Sequence, residues 1–188
     1  MNRVELKKQA KAGLKGNWGV AILAILIAGL IAGAASFTFV GVLVLCGPLA
    51  VGLCIVFSTI ANGEKAELEK MFGGFSNFGN TCVTGILYTI FLALWTLIPI
   101  VGIIKSYSYA MTFFIMKDNP EMSGTEAITA SRKMMDGHKL DLFVLDLSFI
   151  GWLILCALTF GLLSFYVAPY MEATRAAFYE KLKASNEQ

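Results

Sequence analysis

The chain has 188 residues, 57% of them hydrophobic and 15% charged, with a net charge of +2 and a mean hydropathy of +0.70. A soluble domain carries about 25% charged residues, so an ordinary soluble fold is excluded and the apolar surface must face lipid. Near-neutral charge gives no support to an electrostatic nucleic-acid surface, and the length predicts one integral membrane domain over 1–188 with no separate catalytic module.

Residues 4–15 read as an amphipathic helix with Lys7, Lys11 and Lys15 at four-residue spacing. Such a helix is expected to lie on anionic lipid at the cytoplasmic face, with a protein-partner site as the alternative. Residues 16–63 hold no charge. One span needs about 20 residues, so this run predicts two, broken between 40 and 48 where Gly41, Gly47 and Pro48 fall. Trp18 suits an interfacial anchor at the start of the first span. Along that span run Ala21, Ala24, Ala28, Ala32 and Ala35, with Gly29 and Gly33 as a GxxxG pair. Small residues at helical spacing predict close helix packing within the chain. Ala32 to Ser36 resembles a signal-peptide cleavage site, but the apolar run continues past it, so a retained span is expected.

A second amphipathic helix is predicted over 65–72. Phe72, Phe75 and Phe78 follow and are expected to dip into the headgroup layer. Gly79 and Asn80 then lead into an apolar run over 81–116, broken at 99–102 and carrying the single charge Lys105. Asp118-Asn119-Pro120 should end that helix. Ser123 and Glu126 have capping-box spacing at the start of a third surface helix, and Gly137 suits its C-terminal stop. A third apolar run over 140–170 is interrupted near 159–161 and has Asp146 near its start. It continues into Glu172, Arg175 and Tyr179, three and four residues apart and so on one helix face.

The pattern of surface helix, glycine, polar residue and membrane run occurs three times, at Gly16-Asn17, Gly79-Asn80 and Gly137-His138. This reads as a threefold repeat of about 60 residues. It predicts an all-α polytopic bundle of six spans, built as three hairpins each preceded by a cytoplasmic amphipathic helix. The positive-inside rule then puts both termini and every Lys and Arg except Lys105 in the cytoplasm. Four spans is the alternative, and would export Lys117, Arg132, Lys133 and Lys139 as well as Lys105.

Charges within a bilayer usually face a bundle interior or a water-filled cavity. Lys105, with Tyr107 and Tyr109 on its helix, and Asp146, Glu172, Arg175 and Tyr179 are therefore the candidates for a polar interior. The competing expectation is that Glu172 and Arg175 pair at the cytoplasmic interface while Lys105 snorkels to the outer headgroups. Cys46, Cys54, Cys82 and Cys156 show no C-x-x-C spacing and read as packing residues. No phosphate-binding, dinucleotide or H-E-x-x-H motif occurs, and His138 is the single histidine. No cofactor, metal or enzymatic activity is expected. The residues support a non-enzymatic protein that organises membrane or binds a lipid or protein partner. The alternative is a small transporter or channel, favoured if the intramembrane charges converge on one cavity.

The segments from Leu6 through Trp18, Ser131 through Gly137, Leu147 through Trp152, Leu158-Thr159-Phe160-Gly161, and Pro169-Tyr170 with Phe178-Tyr179 carry a resemblance. On them the chain resembles domain-of-unknown-function family 975, small integral membrane proteins of Gram-positive bacteria. The resemblance implies a multi-pass protein of the bacterial plasma membrane and no particular activity. More distantly, the chain is similar to membrane modules that accompany some glycerophosphodiester phosphodiesterases, which implies a lipid-related setting.

Overall fold

In the computed structural model, which describes residues 2–186, the regular structure is ten α-helices and one 3-10 helix, with no strand among the described residues. Helix α1 (Arg3–Leu14) begins at Asn2, whose side chain accepts from the Val4 N–H at 3.1 Å. Its apolar face, Leu6, Ala10 and Leu14, is buried in the protein core rather than laid on lipid. Gly16, at φ +94°, then lets the chain reverse into α2 (Trp18–Ala35).

Helix α3 (Phe39–Ala61) follows after only Ser36, Phe37 and Thr38. The break expected at 40–48 therefore lies earlier, and Pro48 sits inside α3. Hydroxyl groups account for this. Ser36 Oγ donates to the Ala32 carbonyl at 2.8 Å, and Thr38 Oγ1 accepts from the Gly41 N–H at 3.2 Å. Backbone groups freed at a turn are satisfied there, whereas a proline removes only one donor and a continuous apolar helix absorbs it.

The second surface element is also displaced. A 3-10 helix over Leu68–Phe75 stands where an α-helix over 65–72 was expected, and Gly79 lies inside α4 (Phe78–Thr96) instead of ending the element before it. Gly73 and Gly74 disfavour α-helix, and the segment is pressed along α3, where a Cβ at Gly74 would meet the Pro48 carbonyl. The turn at Leu97 and Ile98 leads to α5 (Pro99–Tyr109), with Pro99 as its first residue, and then to α6 (Thr112–Asp118).

Helix α7 (Gly124–Met134) carries the capping box that its sequence spells. The Ser123 N–H donates to Glu126 Oε2 at 2.9 Å, and Ser123 Oγ accepts from the Glu126 N–H at 3.4 Å. The Ser123 hydroxyl and N–H together hold the Glu126 carboxyl below the usual carboxylate range. Gly137, at φ +79°, follows, then α8 (Lys139–Leu147), α9 (Ile150–Leu158) and α10 (Ser164–Asn186). The turn between α9 and α10 contains Phe160 at φ 51° and Gly161 at φ 83°.

Helix α3 is central: α1, α2, α4, α6, α10 and the 3-10 helix all pack on it. Two asparagines tie successive parts together. Asn17, itself buried, donates to the carbonyls of Gly13 and Glu64 at 2.9 and 3.0 Å and accepts from the Ala66 N–H at 3.0 Å. Asn80 donates to the carbonyls of Pro120 and Met122 at 2.8 and 2.6 Å. Each asparagine opens its apolar run and holds the loop that introduces the next one.

The core, with Leu6, Phe57, Ile60, Met135, Phe178 and Leu182, lies where the charged helices gather. Large exposed apolar side chains occur along α2, α4, α5, α8 and α9, and the three short turns carry Phe37, 94% exposed, Leu97, 80%, and Phe160, 98%. Five helical segments are long and apolar enough to cross a membrane: Trp18–Ala35, Gly41–Ala61, Phe78–Thr96, Pro99–Asp118 and Lys139–Leu158. Gly29 and Gly33, expected to pack within the chain, have no atom near the position of a Cβ; only Ala21, Ala24 and Ala28 of that stripe are buried.

Candidate functional site

Three of the charges expected in a polar interior come together. Helix α8 supplies Asp146, and α10 supplies Glu172 and Arg175 one turn apart. The guanidinium donates to Asp146 through Nε to Oδ1 at 3.3 Å and through Nη2 to Oδ2 at 3.1 Å. Its Nη1 donates to Glu172 Oε1 at 3.4 Å, and the Tyr107 hydroxyl from α5 donates to Asp146 Oδ2 at 3.3 Å. The planar fork of arginine suits this arrangement, since it can serve two carboxylates at once and stays charged.

The network forms one wall of a cavity of about 420 Å³. The other walls are largely apolar or aromatic, with Leu53 and Cys54 from α3, Tyr88 from α4, Phe113 and Phe114 from α6, and Leu142 from α8. The volume falls in the range of small-molecule sites, roughly 300–1,000 Å³, which are typically apolar with a few fixed polar groups. Two carboxylates against one guanidinium leave a formal charge of −1. The arrangement can hold an amphiphile, its apolar part against the aromatic walls and a zwitterionic or cationic head against the carboxylates. Tyr88 and Cys54 are lining residues that sequence reasoning missed. Neither has a charge to mark it, and only the packing of α3, α4 and α6 brings them to the network.

The remaining candidates lie elsewhere. Tyr109 is buried, and its hydroxyl accepts from Trp95 Nε1 at 3.1 Å. Tyr179 turns to α6, stacking on Phe114 at 5.0 Å and donating to Asp118 Oδ2 at 2.8 Å. Lys105 does not line the charged cavity; its ammonium lies 4.6 Å over the Trp95 ring, beside Arg132, Lys133 and Lys139.

The interface candidates separate into two groups. Trp18 stacks on Tyr166 at 4.6 Å, and Tyr166 also meets Trp152 and Tyr170. Lys7 crowns the neighbouring Phe149 ring at 3.9 Å and donates to the Ser148 carbonyl at 3.1 Å. Partial burial there, with Arg3 adding repulsion, lowers its ammonium pKa. Lys11 on α1 and Lys15 just after it stay exposed. Phe72, Phe75 and Phe78 form a separate, continuous run of ring contacts at 6.3 and 6.2 Å, with Phe72 and Phe78 exposed. Among the described residues, no group of three or more His, Cys, Asp or Glu side chains could hold a metal ion.

An all-helical chain with five segments long and apolar enough to cross a bilayer and many exposed large apolar side chains is a membrane protein. The family model described as protein of unknown function (DUF975) matches residues 1–106 and 98–186, and the chain belongs to that family. No curated protein and no solved structure matches it.

Proposed function

We propose that this protein is a non-enzymatic component of the bacterial plasma membrane that binds a lipid-like amphiphile in the cavity between α3, α6, α8 and α10. The observation that carries the reading is Arg175 held between Asp146 and Glu172 on one wall of an otherwise apolar chamber. Intramembrane charge is costly to maintain and is normally kept for ligand or ion contact. Native mass spectrometry of the purified protein tests it. The wild type should retain a zwitterionic phospholipid that Glu172→Gln holds about tenfold more weakly, the cost of one charged hydrogen bond. Equal retention by wild type and variant would refute the assignment.

A second reading, transport of a small solute, draws on the same convergence of Asp146, Glu172 and Arg175. Flux through reconstituted liposomes that falls in Glu172→Gln would favour it over static binding.

The membrane arrangement that fits the charges has six spans: α2, α3, α4, α5 with α6, α8 with α9, and the first half of α10. Helices α1 and α7, the 3-10 helix and both termini then face the cytoplasm, where Lys and Arg are enriched. The third pair is the shallow one. Helix α9 has nine residues, about 14 Å of rise, so α8 must continue its path if the turn at Phe160 is to reach the far side of a core about 30 Å thick.

A further inference from the structure

Lys105 is the single charge in its apolar run, and its position in the fold points to a second site. It lines a concavity of about 320 Å³ together with Arg132 and Lys133 from the last turn of α7 and Lys139 from the first turn of α8. The one carboxylate at the site is Asp136, which pairs with Lys139 at 3.6 Å and whose side chain is 85% exposed. Four cations therefore face one acid. The hydroxyls there offer no free proton: Ser108 Oγ donates to the Ile104 carbonyl at 2.9 Å and Thr129 Oγ1 to the Thr125 carbonyl at 2.8 Å. Recognition has to come from the ammonium and guanidinium groups, which suits a compact anion with several oxygens, such as a phosphate ester.

The surroundings say how such an anion would arrive. Ile103 and Ile104 on α5 and Leu140 and Phe143 on α8 are exposed beside the concavity, Leu140 at 75%. An apolar flank next to a cluster of cations matches a phospholipid, with its headgroup in the basic recess and its chains along the neighbouring helices. The Lys105 ammonium also lies 4.6 Å over the Trp95 ring, a cation–π contact that restricts its position.

We propose that Lys105, Arg132, Lys133 and Lys139 form a headgroup site for an anionic phospholipid, separate from the Asp146–Glu172–Arg175 cavity and independent of what that cavity binds. Titration of the purified full chain with phosphatidylglycerol or phosphatidylcholine, read by native mass spectrometry, tests it. The wild type should bind phosphatidylglycerol, and Lys105→Gln with Lys133→Gln should weaken that lipid about thirtyfold, at about tenfold per 1.4 kcal/mol and about 1 kcal/mol per charge, while leaving phosphatidylcholine at the charged cavity unchanged. The variant Lys8→Gln with Lys65→Gln, which removes two exposed charges elsewhere, should keep the phosphatidylglycerol binding of the wild type. Should the site variant fail to fold, the wild type in about 1 M salt, where screening acts over about 3 Å, should lose it. Unchanged phosphatidylglycerol binding in the site variant, equal loss of both lipids in it, or equal loss in both double variants, overturns the proposal. Saturable binding of inorganic phosphate without a lipid preference would overturn the lipid assignment and give the recess to free phosphate.

Discussion

Asn17 shows how much one polar side chain can hold in an apolar protein. Both its N–H groups and its carbonyl are engaged, and they join the end of α1 to the loop after α3. Asn17→Ala would strand the Ala66 N–H and the Glu64 carbonyl, costing about 1–3 kcal/mol. Thermal unfolding followed by a thiol-reactive dye on the native cysteines should show a lower melting temperature for the variant; an unchanged one would deny the clamp its role. In the sequence, Asn17 and Asn80 are recognisable only as the polar residue after each glycine, because their partners lie some forty to fifty positions away. Asp146, Glu172 and Arg175 were legible as a set because charge in an apolar run is rare. Tyr88 and Cys54 were not, since aromatic and thiol groups are ordinary there. Lys105 was legible as an anomaly, but whether it faced the cavity or a surface depended on how α7 and α8 fold back beside α5.

At the scale of elements, close backbone approach decides more than small-residue patterns do. Where α3 meets α4, a Cβ on Gly47 would collide with the Thr81 carbonyl, and one on Gly85 would lie 2.7 Å from the Gly47 nitrogen. Gly47→Ala should therefore lower stability by about 1–3 kcal/mol through overpacking, while Gly29→Ala, with open space around it, should be neutral or gain up to about 1 kcal/mol in helix propensity. Comparing their melting temperatures checks both, and equal effects would contradict the packing described. The GxxxG spacing of Gly29 and Gly33 drew attention to the wrong glycines, because spacing identifies a face and not its neighbour. Helix ends set by local chemistry, such as the capping box at Ser123 and the stop at Gly137, were fully legible. The 3-10 helix over Leu68–Phe75 was not, since its geometry comes from being pressed along α3.

For the whole molecule, the segregation of charge is the organising fact. The core gathers α1, the end of α7 and the end of α10, while Phe37, Leu97 and Phe160 mark three exposed apolar turns. The basic recess fits this polarity, because it moves Lys105 from an apparent exception into the company of Arg132, Lys133 and Lys139. Composition and the charge map were enough for a helical membrane protein. The path of the third apolar run was not readable from them, since it depends on the bend between α8 and α9 at Ser148 and Phe149. The orientation is the central claim, and site-directed cysteine accessibility tests it most directly. In a chain whose four native cysteines are replaced by serine, Ser123→Cys should be labelled by an impermeant reagent only after the cells are opened; labelling of Ser123→Cys from outside intact cells would contradict the account.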